Sequence, residues 1–459
     1  MSMTSRTFFL AFALGLAGAA GTVWPQDAAT ANDSTAAAND SSPPRITAII
    51  IEGNRRTKPY VILREMQSKV GALADAEVLA RDRKRILNLG IFSRVDIQGY
   101  RVASGVEIMI TVFESWFLYP YPIVFLNDRE WNWDKLSYGA GLLHLNFRGR
   151  NETISASGWA GYNPSVQLDY GNPWMFGKAN LFGRWRFFSS RTQNRFYQQN
   201  QQEVSENRIG GSFTLGRRFG YFNYLSVNAG YSELELDPYV PGQTLNPSGK
   251  DELPTLGVTY AYDARDFFEY PLEGTYGRLW ARRVGFGQQN INYTRYGLDV
   301  RRYQKISKHL TLAAYGMADL GRGKIPIYDL VYLGYGNRVR GRFFDRVAGR
   351  HVALGSVEAR LPLIPLRYLS MAKSSVLRQM VPGFMQPFVS NVKFGMNLAL
   401  FYDYGVAWSK SETPDWKTGL SGFGAGLHFH LPLLGLLRVE LASDDKGKLQ
   451  GIFDMGVAF

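Results

Sequence analysis

The sequence predicts a mostly β protein, in which a 16-stranded antiparallel transmembrane β-barrel follows one small N-terminal α/β domain of β-α-α-β-β order. Sixteen runs of alternating polar and apolar residues, most of them about ten residues long, occupy the chain after position 115. The N-terminus has the layout of an export signal. The composition is rich in Gly, Tyr, Phe and Trp, which is typical of many turns and of aromatic girdles at membrane interfaces.

The charge and the absence of cysteine exclude several classes of protein. With Cys 0, the chain has no disulfides, thiolate metal sites or lipid-modified N-terminal cysteine. The net charge is +13, but Arg and Lys are scattered singly along the alternating runs. This distribution favours anionic lipid headgroups or a basic lumen over nucleic acid as a partner. No later apolar stretch reaches about 18 residues, so we expect no transmembrane helix in the mature chain.

The first 44 residues are predicted to be a signal peptide (1–20) and a flexible tether (21–44). Arg6 is the charged start, Thr7–Leu16 is a short apolar run, and Ala17-Gly18-Ala19 supplies the small residues of a cleavage site. From position 26 to position 44 the chain is mainly Ala, Asp, Asn, Ser, Thr and Pro, which leaves almost nothing to bury.

Residues 45–115 are predicted to form the small α/β domain. Ile46–Ile51 is a β-branched strand, and two helices begin at Thr57 and at about Asp75. The first of these helices is expected to end at Gly71. The last two strands are Ser93–Gly99 and Gly105–Val112. The free edge of a three-stranded sheet can accept another extended chain, although a rigid spacer with covered edges fits the sequence equally well.

Residues 116–459 are predicted to form the barrel, from a first run at Tyr121–Asn127 to a last run at Leu449–Phe459. In the last run four apolar side chains share one face, which we expect to contact lipid, while Asp454, Gly456 and Ala458 face the lumen. The four lipid-facing residues are Phe453, Met455, Val457 and Phe459. A soluble β-sandwich would alternate in the same way, but the export signal and the aromatic content favour a barrel.

Two sets of motifs, each in a fixed order, resemble the BamA/TamA superfamily of outer-membrane assembly and translocation proteins. The N-terminal set resembles one POTRA domain and consists of Ile51-Glu52-Gly53-Asn54, Leu89-Gly90-Ile91-Phe92-Ser93-Arg94-Val95 and Ile110-Thr111-Val112-Phe113-Glu114. The barrel set consists of Gly171–Gly177, Tyr262–Asp266, Pro271–Gly274, Arg338–Gly341, Glu358–Pro362 and Phe401–Gly405. The resemblance covers essentially everything after the tether, and it implies a bacterial outer-membrane location with the POTRA domain in the periplasm.

The resemblance implies that an outer loop folds back into the lumen. This loop carries Arg338, Val339, Arg340 and Gly341, and its central Arg340 is expected to touch two acids on following strands, Glu358 and Asp403. The alternation of the two runs independently places both acids on the lumen face. In a watery lumen such a pair contributes about 0–1 kcal/mol. If the loop excludes water, removing one partner costs about 3–5 kcal/mol, and we expect this second case.

Two features depart from the superfamily pattern. Arg342 stands where an aromatic residue usually follows the glycine, so we expect the tip of the loop to pack differently. The connection between Leu361 and Lys393 runs for some thirty residues on the periplasmic side, where tight turns are usual. We interpret the part at 364–392 either as an amphipathic element at the inner-leaflet interface or as a long loop packed on the barrel rim.

No motif in the sequence indicates an enzyme, and we expect no catalytic residues, no cofactor and no metal. Phosphate loops, nucleophile elbows and zinc-protease motifs are lacking. His428 and His430 share a strand face at i, i+2, but the sequence brings no third ligand near them.

Two functions remain open. One is an outer-membrane protein assembly factor, specialised or accessory, that works by strand addition at the POTRA edge and at the seam between the first and last strands. Phe453, Met455, Val457 and Phe459 belong to this seam, and the resemblance makes the C-terminal aromatic an insertion signal. The other is a polypeptide translocation or secretion pore. Expected partners are outer-membrane lipids, an unfolded or nascent outer-membrane protein as client, and periplasmic accessory proteins, with no nucleic acid.

Overall fold

The structure is a computed structural model. It describes residues 44–127, 132–177, 180–193, 204–333, 337–342, 345, 347–369, 392–409, 413–431, 435–456 and 458. The predicted signal peptide and all but the last residue of the predicted tether lie outside the described residues. Val457, Phe459 and positions 370–391 of the long periplasmic connection lie outside them as well.

The N-terminal domain has a three-stranded sheet covered by two short helices. Its elements are β1 (Ile46–Glu52), α1 (Pro59–Leu63), α2 (Ala76–Leu87), β2 (Phe92–Val102) and β3 (Gly105–Glu114). β3 lies in the middle, parallel to β1 and antiparallel to β2. Apolar side chains from both layers form its core, including Ile62, Met66, Ile86, Ile108 and Ile110. This is the predicted β-α-α-β-β order. Within the described chain, no helix is both long enough and apolar enough to cross a bilayer.

The first helix is shorter than the sequence predicts. The sequence predicts a helix that continues to Gly71, but the helix ends at Leu63. Asp82 of α2 is fully buried, and its carboxylate accepts the backbone N–H groups of Gln67 and Ser68 at 2.8 and 2.9 Å. Because these donors are held by a side chain of the second helix, the chain leaves the helical path before it reaches them.

The remaining described residues form one large antiparallel sheet of sixteen long strands, with three short strands in outer loops. Each strand pairs with its neighbour along the chain, as the sequence predicts. In chain order the strands are β4 (Leu118–Leu126), β5 (Leu136–Phe147), β6 (Glu152–Gly161), β7 (Ser165–Met175), β8 (Leu181–Gln193), β9 (Ser205–Phe219), β10 (Asn223–Asp237), β11 (Lys250–Glu252), β12 (Thr255–Asp263), β13 (Gly274–Val284), β14 (Tyr293–Ser307), β15 (Leu310–Gly323), β16 (Val331–Leu333), β17 (Val347–Gly349), β18 (His351–Leu369), β19 (Val392–Trp408), β20 (Leu420–Leu431), β21 (Gly435–Asp444) and β22 (Leu449–Met455).

The sheet curls so that β22 becomes the neighbour of β4, and we call this boundary the seam. The other neighbouring long strands share ladders of defined register, such as the 17-residue β19 on β18. β22 has only seven residues, and it is the hydrogen-bonded neighbour of β4 across the seam. The described part of the seam therefore contains the shortest of the sixteen long strands.

Side chains alternate between the two faces of the sheet. On β19, Leu400 and Tyr402 are 49% and 47% exposed, whereas Ala399 and Asp403 are 0% and 1% exposed. Large apolar residues thus cover the outer face and polar residues face inward, which is the pattern of a membrane-spanning barrel. At the outer end, loops that follow β10, β13 and β15 pack into a separate apolar core containing Leu245, Leu253, Ile291 and Tyr328.

The long periplasmic connection begins as a strand. The sequence predicts that the strand ends at Leu361, but β18 continues to Leu369 and remains paired with β19. The register shifts on both sides of Ile364. Pro362 and Pro365 flank this residue and lack a backbone N–H, so the ladder bulges there instead of ending.

Candidate functional site

Residues 337–342, which we call the inner loop, lie inside the barrel against β20 and β21. Val339 is completely buried, and Gly341 has a φ of 89°, a backbone conformation that favours glycine. A Cβ at Gly341 would lie 2.7 Å from the Ser443 carbonyl oxygen. A Cβ at Gly422 of β20 would lie only 1.7 Å from the Arg340 carbonyl oxygen. The loop therefore reaches its position because glycine is present on both sides of the contact.

Arg340 is the centre of the site, and its side chain is 2% exposed. Its Nε and Nη2 each donate to Asp403 at 2.8 Å, and its backbone N–H donates to the same carboxylate at 3.0 Å. Its Nη1 donates to Glu358 at 2.8 Å and to Glu440 at 3.2 Å. The guanidinium also lies 3.5 Å from the centroid of the Phe401 ring. Arg340 thus contacts both acids that the sequence singles out, and none of the three side chains is more than 2% exposed.

The other residues of the loop motif have different surroundings. Arg338 donates from Nη1 to Asp454 of β22 at 2.7 Å. Arg342, the departure from the superfamily pattern, points toward the outer ends of β20 and β21. Its Nε donates to the Ser421 carbonyl at 3.0 Å, and it pairs with Asp444 and Asp445.

The predicted seam residues are described only in part. Phe453 is 54% exposed on the outer face, and Met455 is partly buried. Val457 and Phe459 lie outside the described residues.

Further charges extend the network around Arg340. Arg360 donates to Glu358 at 2.7 Å, and Arg438 donates to Glu440 at 3.0 Å and to Asp454 at 2.7 Å. The network then contains four guanidiniums and four carboxylates. They are Arg338, Arg340, Arg360 and Arg438 against Glu358, Asp403, Glu440 and Asp454. Because opposite charges are equal in number and hydrogen-bonded, the inner loop can stay buried without an unpaired charge.

Sequence reasoning missed Glu440, and it placed Asp454 on the lumen face without assigning it a partner. Both acids lie on the lumen face of their strands. Glu440 is two positions after Arg438, which faces the lumen, and Asp454 is next to Phe453, which faces outward. The alternation could therefore have identified Glu440 as a lumen acid as well. It could not have identified Arg340 and Arg338 as their partners, since this depends on how the loop enters the barrel.

The network includes the only group of side chains in the described chain that could hold a metal ion. Ligand atoms of Glu358, His428 and Glu440 lie within 4.8 Å of one another, so the structure brings His428 the further ligands that its sequence neighbourhood lacks. His430 is separate and lies 3.1 Å from the Asn397 amide. Both carboxylates already accept hydrogen bonds from arginines. A divalent cation would have to lie beside these guanidiniums, so the residues fit an ion-pair network better than a metal centre.

A turn at the periplasmic end of the barrel contacts the same network. Tyr270, in the turn between β12 and β13, is buried, and its hydroxyl lies 3.1 Å from Nδ1 of His428. Arg360 stacks 4.4 Å from the centroid of the Tyr270 ring and donates to the Pro271 carbonyl at 2.8 Å. The turn thus connects the periplasmic rim to the carboxylates that hold Arg340.

The N-terminal domain contacts the periplasmic rim of the barrel at four turns, one of which is the turn between β12 and β13 that carries Tyr270. The Asn88 side chain donates to the Asp266 carbonyl at 3.2 Å and accepts from the Phe268 N–H at 3.0 Å. On the far side of the domain, Glu65 forms a bidentate pair with Arg218, with two distances of 2.8 Å. The Tyr221 hydroxyl lies between these two contacts and donates to the Met66 carbonyl at 2.7 Å. Burial raises the pKa of Tyr221 above its ordinary value.

Two more contacts complete this docking. Asn146 donates to the Thr57 hydroxyl at 2.9 Å, and Arg64 stacks 5.0 Å from the centroid of the Trp174 ring. The turns after β5, β7, β9 and β12 therefore all touch the N-terminal domain, which covers one half of the periplasmic rim.

Comparisons with known proteins agree with this architecture. Residues 146–459 match the Omp85 superfamily domain, and residues 44–115 match the surface antigen variable number repeat, a POTRA unit. The outer membrane protein assembly factor BamA of Nitratidesulfovibrio vulgaris is 21% identical over 403 residues, which are 82% of this chain and 45% of that protein. BamA of Neorickettsia risticii is 41% identical over 68 residues, which are 15% of this chain and 9% of that protein. The chain therefore spans less than half the length of the curated relatives it matches.

Two solved structures share the fold. BamA from Haemophilus ducreyi lacking POTRA domains 1–3 aligns with a TM-score of 0.52 and 17% identity, over 90% of this chain and 84% of that chain. CdiB from Escherichia coli aligns with a TM-score of 0.53 and 10% identity, over 93% of each chain.

Proposed function

The chain belongs to the Omp85 superfamily, and from that membership we propose that it assembles other proteins into the outer membrane, in a specialised or accessory role. The resemblance of its motifs to BamA-type proteins is confirmed, and the chain is a bacterial outer-membrane protein with a periplasmic POTRA domain. Its clients are unfolded or nascent outer-membrane proteins. Outer-membrane lipids surround it, and periplasmic accessory proteins are further partners.

The observation that carries this proposal is the way the inner loop is linked to the last strand. Arg338 and Arg438 both hold Asp454 of β22, while Arg340 holds acids on β18, β19 and β21. The short strand at the seam is thus attached to the same network as the loop. A client strand can add where backbone N–H and C=O groups lack a ladder partner. The outer edge of β2, which has no further strand beside it in the POTRA sheet, offers a second place for strand addition.

A bridge across the seam tests the proposal, and the chain suits this test because it has no cysteine of its own. Val124→Cys in β4 and Gly451→Cys in β22, joined by a short bis-maleimide, should stop the insertion of a urea-unfolded barrel protein into proteoliposomes. The control bridge joins Val258→Cys to Ala281→Cys, which are paired across β12 and β13. We expect the control protein to insert its client normally. Undiminished insertion by the seam-bridged protein would refute assembly at the seam.

A polypeptide translocation pore is the second candidate, because part of the lumen wall is accessible to solvent, including Ser212 and Thr214. The same bridged proteins discriminate between the two functions. A pore would still pass an unfolded soluble polypeptide across the liposome membrane when its seam is bridged, whereas an assembly factor would have lost its activity.

A further inference from the structure

The lumen has two unlike halves. On β18, β19, β20 and β21 the inward side chains are buried, as for Glu358, Asp403, His428 and Glu440, because the inner loop fills the space beside them. On β9, β10 and β12 many inward side chains, such as those of Ser212, Thr214 and Asn228, stay partly exposed although they face the inside of the barrel. The inner loop therefore occupies one side of the barrel and leaves the other accessible to solvent.

Small residues line the accessible half. The paired rows across β9, β10 and β12 carry glycine, serine, threonine and asparagine at successive inward positions. These residues are Gly210, Ser212, Thr214, Ser226, Asn228, Gly230, Gly257 and Thr259. We call this surface the polar wall. Short side chains without charge leave room for water and solutes, and they would not bind a passing ion strongly.

Two pairs of arginines flank the polar wall. On β8, Arg184 and Arg186 both contact Asp169 at 2.9 Å, and their side chains are 56% and 28% exposed. On β13 and β14, Arg278 and Arg301 contact Asp299 at 3.4 and 2.9 Å, and they are 44% and 22% exposed.

The two acids are much less exposed than the arginines, at 8% for Asp169 and 6% for Asp299. Four guanidiniums against two carboxylates leave two positive charges in excess. The charge that a solute would meet beside the polar wall is therefore positive.

We propose that the accessible half of the lumen is a passage for small inorganic anions, with the two arginine pairs as its selectivity elements. Low-dielectric walls strengthen the attraction of fixed positive charges for anions and repel cations from the same space. The POTRA domain covers periplasmic turns of this half, and the apolar core of the outer loops lies at its outer end. These coverings restrict the passage to small ions, and the passage does not depend on the assembly function.

Ion selectivity of the full chain in planar bilayers tests the proposal. Under a KCl gradient, the reversal potential should show that chloride permeates more readily than potassium, by roughly fivefold. The double variant Arg184→Gln/Arg278→Gln removes the two more exposed guanidiniums but leaves Arg186 and Arg301 to pair with the two acids. Positive and negative charges then balance, so the permeability ratio should fall close to one.

The matched control is Arg283→Gln/Arg302→Gln. These two arginines are exposed on the outer face of β13 and β14, next to the inward-facing Arg282 and Arg301, and their loss changes the net charge equally. The control should keep the anion preference. A channel that prefers cations, an absence of conductance, or equal effects of the two double variants would each overturn the proposal.

Discussion

Arg340 connects three strands through one side chain. It donates to carboxylates of β18, β19 and β21, and its backbone N–H adds another bond to Asp403. A guanidinium offers five N–H groups in a rigid fork, which allows several acids to share it. A lysine at this position would supply a single charged point and could not hold this geometry.

At this scale we predict that Arg340→Ala destabilises the barrel more than Arg338→Ala does. Removing Arg340 leaves Asp403 and Glu358 buried with fewer partners, which costs about 3–5 kcal/mol. In Arg338→Ala, Asp454 keeps its pair with Arg438, and the side chain that is removed is 21% exposed. We therefore expect the free energy of unfolding to fall by only about 1 kcal/mol in this variant. The measurement is the urea midpoint of the heat-modifiable band shift in detergent. Equal midpoints for the two variants would contradict the central role of Arg340.

Sequence motifs identified Arg340, Glu358 and Asp403, but they did not identify the rest of the site. The motif resemblance names these three residues because they recur together in the superfamily. Tyr270 and Glu440 depend on which strands face each other across the lumen, and this is determined by the stagger of the whole sheet. A local pattern carries no information about that stagger.

At the scale of elements, period-2 alternation predicted the strands well because lipid contact requires apolar side chains on one face of each strand. Several strand ends were less predictable. β18 continues past two prolines because its neighbour β19 keeps pairing with it. The first helix ends early because Asp82 holds the next backbone donors. In both places a tertiary contact overrides the local sequence.

The contact between the POTRA domain and the barrel rim makes a prediction at this scale. Glu65 and Arg218 form a bidentate pair with side chains only 7% and 14% exposed. Glu65→Gln leaves Arg218 buried without its counter-charge, so we expect the domain to loosen and linker proteolysis after position 114 to become at least several-fold faster.

Glu77→Gln is the matched control, because the exposed Glu77–Arg81 pair at 3.6 Å contributes about 0–1 kcal/mol. A proteolysis rate that is unchanged in Glu65→Gln, or raised equally in both variants, would show that the Glu65 pair does not hold the domain in place.

At the scale of the whole molecule, one contact network extends from the POTRA domain to the last strand. Asn88 holds the periplasmic turn that carries Tyr270, this turn meets Arg360 and His428, and their acid partners hold Arg340. Arg338 and Arg438 then connect the network to Asp454 of β22. A displacement of the POTRA domain can therefore be transmitted to β22, or from β22 to the POTRA domain, through a continuous set of contacts.

This arrangement predicts an uneven stability around the barrel, which amide hydrogen exchange can measure. We expect the slowest exchange in β13, β14 and β15, whose ladders are long and regular, and the fastest among the barrel strands in β22. Asp454→Asn removes the charge that holds β22 to two arginines, so amide exchange in β22 should become faster while exchange in β14 stays unchanged.

The control variant Glu233→Gln breaks an exposed pair with Lys250 near the outer end of β10, and it should leave amide exchange in β22 unchanged. Asp454→Asn also removes the partner of Arg338 in the inner loop. Amide exchange in the inner loop should therefore become faster together with exchange in β22. Acceleration of β22 alone would separate the seam from the loop, and the proposed link between them would then be wrong.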